Sequence, residues 1–253
     1  MAKGIDKATP VTSAQAKTLA AAGYAFAARY LVPSSYAWKR MTADEAKLIT
    51  AAGMRIVSVY ETTANRAASG ADAGRNDGAA AYAEALAVGQ PKGTVIYFAV
   101  DYDAQSKDFD AIEAYLKAAA KQATGYETGV YGSYAVIEEM AKRGACAHFW
   151  QTYAWSRGKR SAKANIYQYK IDTTVSGIAL DLNESYGNEG WWDTNPGKKP
   201  EPDEEEITMK PEDAEKIIKF LSAAWFTATT KADKAEFNRL ANEIRKAAGM
   251  PTE

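Results

Sequence analysis

The sequence predicts an α/β protein: a compact (β/α)8, TIM-like barrel followed by a small all-α helical hairpin. Three observations carry this. First, two early segments repeat at an offset of 30 residues. Thr12, Ala16, Lys17, Ala21, Ala22, Gly23 and Tyr30 recur as Thr42, Ala46, Lys47, Ala51, Ala52, Gly53 and Tyr60. A shared cap, terminal glycine and strand-final tyrosine mark a repeated α–β unit. Such units imply a parallel sheet whose right-handed crossovers close naturally into a barrel. Second, eight β-rich runs can be counted before residue 185. That is compact beside the ~250 residues usual for the architecture, so at least one crossover helix must be short or missing. Third, a proline-rich, charged stretch over 194–206 separates two amphipathic helices from everything before it.

In chain order, residues 3–6 form a short first strand ending in Asp6. A helix begins near Thr12, with Gln15 in capping-box spacing, and stops at Gly23. Residues 24–31 read as the second strand. Thr42 and Glu45 cap a second helix running to Gly53, and 55–60 form the third strand, followed by Glu61. Residues 62–78 are rich in Ala, Gly, Asn and Arg and too weakly apolar for core, so they read as a long functional loop. A helix over 79–88 ends at Gly89 and Pro91. The run 95–100 is the fourth strand, with Asp101 and Asp103 after it. Then come a helix over 109–123, a strand over 128–131 and a helix over 134–142. Strands over 147–153 and 165–169 are joined by a basic loop, 156–163, in place of a helix. The last strand, 177–182, again carries an acid, Asp181. In the tail, Ala214, Ile217, Ile218, Leu221, Ala224 and Trp225 make one apolar stripe, and Phe237, Leu240, Ala241 and Ile244 another. The expected domains are a catalytic barrel over 1–193, a linker over 194–206 and a two-helix module over 207–253. So small a module is expected to dock, self-associate or bind a partner.

Composition narrows the function. A formal net charge of −1 gives no basic field for nucleic acid. Cys146 is the sole cysteine and His148 the sole histidine, which excludes an internal disulfide, cysteine clusters of zinc and sites needing two histidines. No cofactor is implied, since a P-loop, a dinucleotide fingerprint and a G-x-S-x-G elbow are all missing. No apolar leader or membrane-length run is present, so the chain is expected to be made in the cytoplasm without insertion into a membrane.

Barrel sites form at the C-terminal ends of the strands. There the sequence offers Asp6, Glu61, Asp101 and Asp103 as candidate catalytic acids. Tyr30, Tyr60, Tyr131, Trp150, Gln151, Gln168 and Asp181 are candidate substrate-binding residues. Carboxylates ringed by aromatics and amides suit glycoside hydrolysis: one acid protonates the leaving oxygen, another stabilises positive charge or directs water, and flat rings stack on sugars. If the fourth strand continues past Val100, Asp101 and Asp103 share a face. If it stops there, both are loop residues.

Residues from Gly4 to about Trp192 resemble the glycoside-hydrolase-like barrel family related to the family 25 lysozymes. The matching pieces include Gly4 to Asp6, Ala28 to Leu31, the run from Ile96 to Asp103, Val130 to Gly132, Trp150 with Gln151, and Asp181 to Asn183. The resemblance implies an active-site cup lined by Asp6, Asp101, Asp103 and Asp181. The related lysozymes carry Asp-x-Glu at the central strand, the Glu being the proposed general acid. Asp103 stands there in this chain, one methylene shorter, and Glu61 is a candidate for the longer reach. The tail resembles helical modules of phage endolysins, which implies wall targeting and release at lysis. The expected activity is that of a lysozyme-like, N-acetylmuramidase-like peptidoglycan hydrolase, and the expected partner is peptidoglycan or an associated wall polymer. Two other readings stand beside it: a barrel that binds wall glycan without cutting it, and a barrel oligomerised through 207–253.

Overall fold

The computed structural model describes residues 1–194 and 211–251. The chain divides into two compact units, Met1–Pro202 and Asp203–Glu253. Of the linker expected over 194–206, everything past Thr194 lies outside the described residues.

Among the described residues of the first unit, eight strands close into a barrel in sequence order. They are β1 (Ala2–Asp6), β2 (Tyr24–Tyr30), β3 (Arg55–Tyr60), β4 (Val95–Ala99), β5 (Glu127–Gly132), β6 (His148–Thr152), β7 (Ile166–Val175) and β8 (Ile178–Ser185). Helices α1 (Ser13–Ala21), α2 (Ala43–Ala51), α3 (Gly70–Val88), α4 (Phe109–Gln122) and α5 (Tyr134–Lys142) fill the crossovers from β1 to β6. The Thr12 and Thr42 hydroxyls accept from the Gln15 and Glu45 amides, capping α1 and α2.

The repeat carries a twist in register. Its units are 30 residues apart, but β2 and β3 pair at an offset of 29, Tyr30 lying opposite Val59. A one-residue slip reverses the face of a side chain. Tyr30 therefore reaches the barrel mouth, whereas the Tyr60 ring packs outside the barrel wall against Phe98 at 5.8 Å. Inside, Phe26, Tyr97 and Trp150 are fully buried. The segment after β8 meets the other end: the Tyr97 hydroxyl donates to the Glu189 carbonyl (2.9 Å), and Trp191 packs on Phe26.

The structure corrects three expectations. The stretch 62–78 is not all loop, because α3 begins at Gly70 after a short 3-10 turn at Arg66–Ser69. Its poverty of apolar residues has a packing reason. A Cβ on Gly74 would lie 2.2 Å from the Tyr115 carbonyl oxygen of α4, and one on Gly78 2.5 Å from that of Ala119, so the two helices approach backbone to backbone. Gly74→Ala is expected to cost about 1–3 kcal/mol, seen as a lower urea midpoint with an unchanged slope.

Second, the β7–β8 connection also lacks a helix, beside the β6–β7 connection, which is a loop as expected. β7 is longer than the 165–169 expected and turns directly into β8 through Ser176 and Gly177, both with positive φ (50° and 77°), as a two-residue hairpin requires. β8 therefore runs antiparallel to both β7 and β1. Asp181 is not a strand-final acid; it enters the mouth near the start of a descending strand, opposite Asp6. Third, Asp103 is not in the cup: of the two courses left open, β4 takes the shorter and ends at Ala99, so alternation does not carry Asp103 onto the face of Asp101.

The second unit holds α6 (Pro211–Thr227) and α7 (Lys231–Ala247), the latter capped by Thr230. Ala214 and Ala241 are buried. Leu221, Trp225, Phe237 and Ala241 help line a groove of about 200 Å³, while Phe220 and Phe226 stay exposed. Among the described residues, no helix is long and apolar enough to cross a membrane.

A candidate active site at the barrel mouth

At the C-terminal end of the parallel strands lies a cavity of about 240 Å³. Asp6, Tyr30, Glu61, Asp101, Tyr131, Trp150, Gln168 and Asp181, all expected from the sequence, line it together. Three expected residues do not. Asp103 is exposed in the loop beyond β4. Tyr60 faces the helices. Gln151 donates to the Ser156 hydroxyl and the Lys159 carbonyl and accepts from the Ser161 amide, so it holds the β6–β7 loop.

The floor is a chain of fixed amides. The Gln168 side-chain carbonyl accepts from the Tyr131 hydroxyl (2.9 Å) and the Thr152 hydroxyl (2.7 Å). Its nitrogen is thereby aimed at Asp6 Oδ2 (2.9 Å) and Asp181 Oδ2 (3.3 Å). Asn183 is set the same way: it accepts from Trp150 Nε1 (2.8 Å) and donates to Asp6 Oδ2 (2.7 Å). Asp181 accepts from the Asp172 amide at 2.8 Å. That amide is presented by an irregularity in the β7–β8 ladder, where Asp172 takes a φ of 50°.

Burial and the neighbouring Asp181 carboxylate push Asp6 up to about 7, against the amide donors, which favour the charged form. Asp181 is also raised, chiefly by burial. The two carboxyls titrate as a pair, each making the other harder to ionise. For Asp6 the unfolded state releases its proton near pH 4 and the folded state near 7. Folding stability therefore falls as pH rises between these values. An Asn at position 6 presents the same acceptor to Gln168 and Asn183 and turns its amide toward Asp181. Asp6→Asn is accordingly expected to be more stable than wild type at pH 8, by on the order of 2–4 kcal/mol, with no advantage at pH 4. Melting temperatures at the two pH values check this, and equal melting at pH 8 contradicts it.

Across the cup, Asp101 is pushed up to about 6 by burial and by the Glu61 charge, partly offset by Lys39 and the Tyr131 hydroxyl. Glu61 is ion-paired to Lys39 at 3.5 Å. Lys39 is itself buried, its ammonium over the rings of Tyr30 (4.8 Å) and Trp38 (5.4 Å). Lys39, Thr152, Trp155 and Asp172 are site residues that periodicity could not find. For Trp155 the signal was composition, an aromatic in a polar loop. For Lys39 there was none, because its role depends on a partner 22 residues away.

Other chemistry is placed elsewhere. His148 lies between Glu127 Oε2 (2.5 Å) and the Asn188 carbonyl (2.8 Å), so neither ring nitrogen is free to activate Cys146, whose thiol burial pushes up to about 12. Part of the basic loop is engaged locally: Arg160 stacks on Tyr167 and Tyr186 and pairs with Glu184, and Lys163 pairs with Glu138.

The family model of the Rv2525c-like, glycoside hydrolase-like domain matches residues 17–185. FadG of Bacillus subtilis (strain 168), an uncharacterized protein, is 32% identical over 155 residues, covering 56% of this chain and 27% of FadG. The chain thus spans about a quarter of that relative. The Tat-secreted protein Rv2525c of Mycobacterium tuberculosis, solved in complex with L-tartrate, superimposes with a TM-score of 0.69 at 26% identity, covering 76% of this chain and 98% of that one. The modular autolysin LytC of Streptococcus pneumoniae, solved with a synthetic peptidoglycan ligand, shares the fold at a TM-score of 0.53 and 15% identity, covering 73% of this chain and 46% of LytC.

Proposed function

The chain belongs to the Rv2525c-like, glycoside hydrolase-like domain family, and on that footing we propose that its cup hydrolyses the glycan strand of bacterial peptidoglycan. The observation that carries this reading is the Asp101 carboxyl. It lines the cavity together with Glu61, Asp6 and Asp181, and burial with the Glu61 charge raises it to about 6. An acid that holds its proton more tightly than a free carboxyl, set among other carboxyls, is the arrangement that glycoside hydrolysis needs. Asp101 donates its proton to the leaving oxygen. Glu61 and the Asp6–Asp181 pair stabilise positive charge on the sugar ring or direct water. Asp103, outside the cup, takes no part. LytC, which shares the fold, was solved with the ligand chemistry proposed here. The proposed setting is the cell wall at phage lysis, with 207–253 as a wall-targeting or self-associating module, a role that the exposed Phe220 and Phe226 support.

A second reading, a barrel that binds wall glycan without cleaving it, is favoured by the position of Asp103, where the related lysozymes carry their proposed acid. Incubating the full chain with purified Gram-positive walls separates the two. New reducing ends support hydrolysis; protein that pellets with the walls and releases none supports binding alone.

A further inference from the structure

Two indole rings are left in water at the barrel mouth. Trp38, in the loop between β2 and α2, is 59% exposed, and its ring faces the Lys39 ammonium that pairs with Glu61 at the cavity wall. Trp155, in the β6–β7 loop, lines the cavity itself and is 39% exposed. Its backbone takes a φ of 54°, a left-handed conformation that a side chain with a Cβ disfavours. An exposed indole and a strained backbone both oppose folding, and a ligand that covers the ring offsets them. β2 and β6 are four strands apart in a closed barrel of eight and both belong to its parallel part. Their following loops therefore open on the same mouth from opposite sides.

The chemistry between the rings selects the ligand. Asp6, Glu61, Asp101 and Asp181 face the cavity, with Lys39 paired to one of them, so a polyanion is repelled and a chain with apolar faces and hydroxyl edges is accepted. We propose that Trp38 and Trp155 are the two end platforms of a cleft that binds an extended, uncharged glycan chain across the β2–β6 diameter, with Asp101 between them. This rests on the glycan reading above and deepens it. A chain gripped on both sides of the acid is cut internally, not from an end.

Calorimetric titration of the full chain with chitobiose and chitohexaose tests the platforms without requiring hydrolysis. Wild type binds the hexamer more tightly than the dimer. Trp38→Ala and Trp155→Ala each weaken hexamer binding about tenfold, well beyond any loss for the dimer, and are largely rescued by Phe at the same position. Hexamer affinity unchanged in both variants overturns the proposal. So does an equal loss for dimer and hexamer, or equal wild-type affinity for the two, although these leave glycan binding itself standing. Failure of wild type to bind either oligomer overturns the platforms and the glycan reading together.

Discussion

Replacing Asp101 with Asn is expected to slow glycan cleavage by about 10²–10⁴-fold, the range for loss of a general acid, while wall binding persists. Asn preserves the shape of the side chain and cannot give up a proton. The pH dependence has a defined sign. Asp101 acts protonated, and burial with the Glu61 charge raises it to about 6, so kcat/KM should fall as pH rises through that value. Asp103→Asn is the internal contrast. Asp103 is exposed and does not line the cavity, so its replacement should leave the rate within about twofold of wild type, as expected for a surface change. Reducing-end assays on both variants decide between them, and the reverse ranking would return the acid to the position the related lysozymes use.

Glu45→Ala is expected to be the most destabilising of the changes considered, costing about 3–5 kcal/mol because it strands a buried charge. Arg29 is fully buried on the outer face of β2. Its guanidinium donates to Glu45 through Nε (2.6 Å) and Nη2 (3.3 Å), and to the carbonyls of Lys7, Ala8 and Lys39. Glu45 also accepts from the Val11 amide at 2.8 Å. The pair thus ties α2 to the segments that carry Asp6 and Lys39, and breaking it loosens both walls of the cup. At about 2–4 °C per kcal/mol for a chain of this size, the melting temperature should drop by roughly 10 °C. A drop of under about 2 °C would mean that water or another partner takes over the guanidinium.

How far the site could be read in advance follows from what periodicity encodes. Strands punctuated by glycines and capped helices are local signals, and they place β1 to β6 and, at the ends of those strands, three of the cup's acids, Asp6, Glu61 and Asp101. Direction is not local. Alternation along β8 is the same whether it runs up or down, and only the Ser176–Gly177 pair between two β-rich runs signalled a hairpin. The resemblance places Asp103 in the cup, while the residues leave open whether β4 outlasts Val100; the Asp101 amide donates to the Ala64 carbonyl, and Asp103 is exposed beyond it. Tyr60 was misplaced because a repeat in sequence was read as a repeat in space, when the sheet register runs one residue short of it. The small residues of α3 hid a helix because close packing, not apolarity, is what they serve.

The most direct test of the account is to digest purified walls in water labelled with heavy oxygen and weigh the released glycan. Hydrolysis through Asp101 predicts one labelled oxygen at each new reducing end and none from the Asp101→Asn variant. Released glycan without label, or release of peptide alone, would contradict the assignment of the cup as a glycoside hydrolase site.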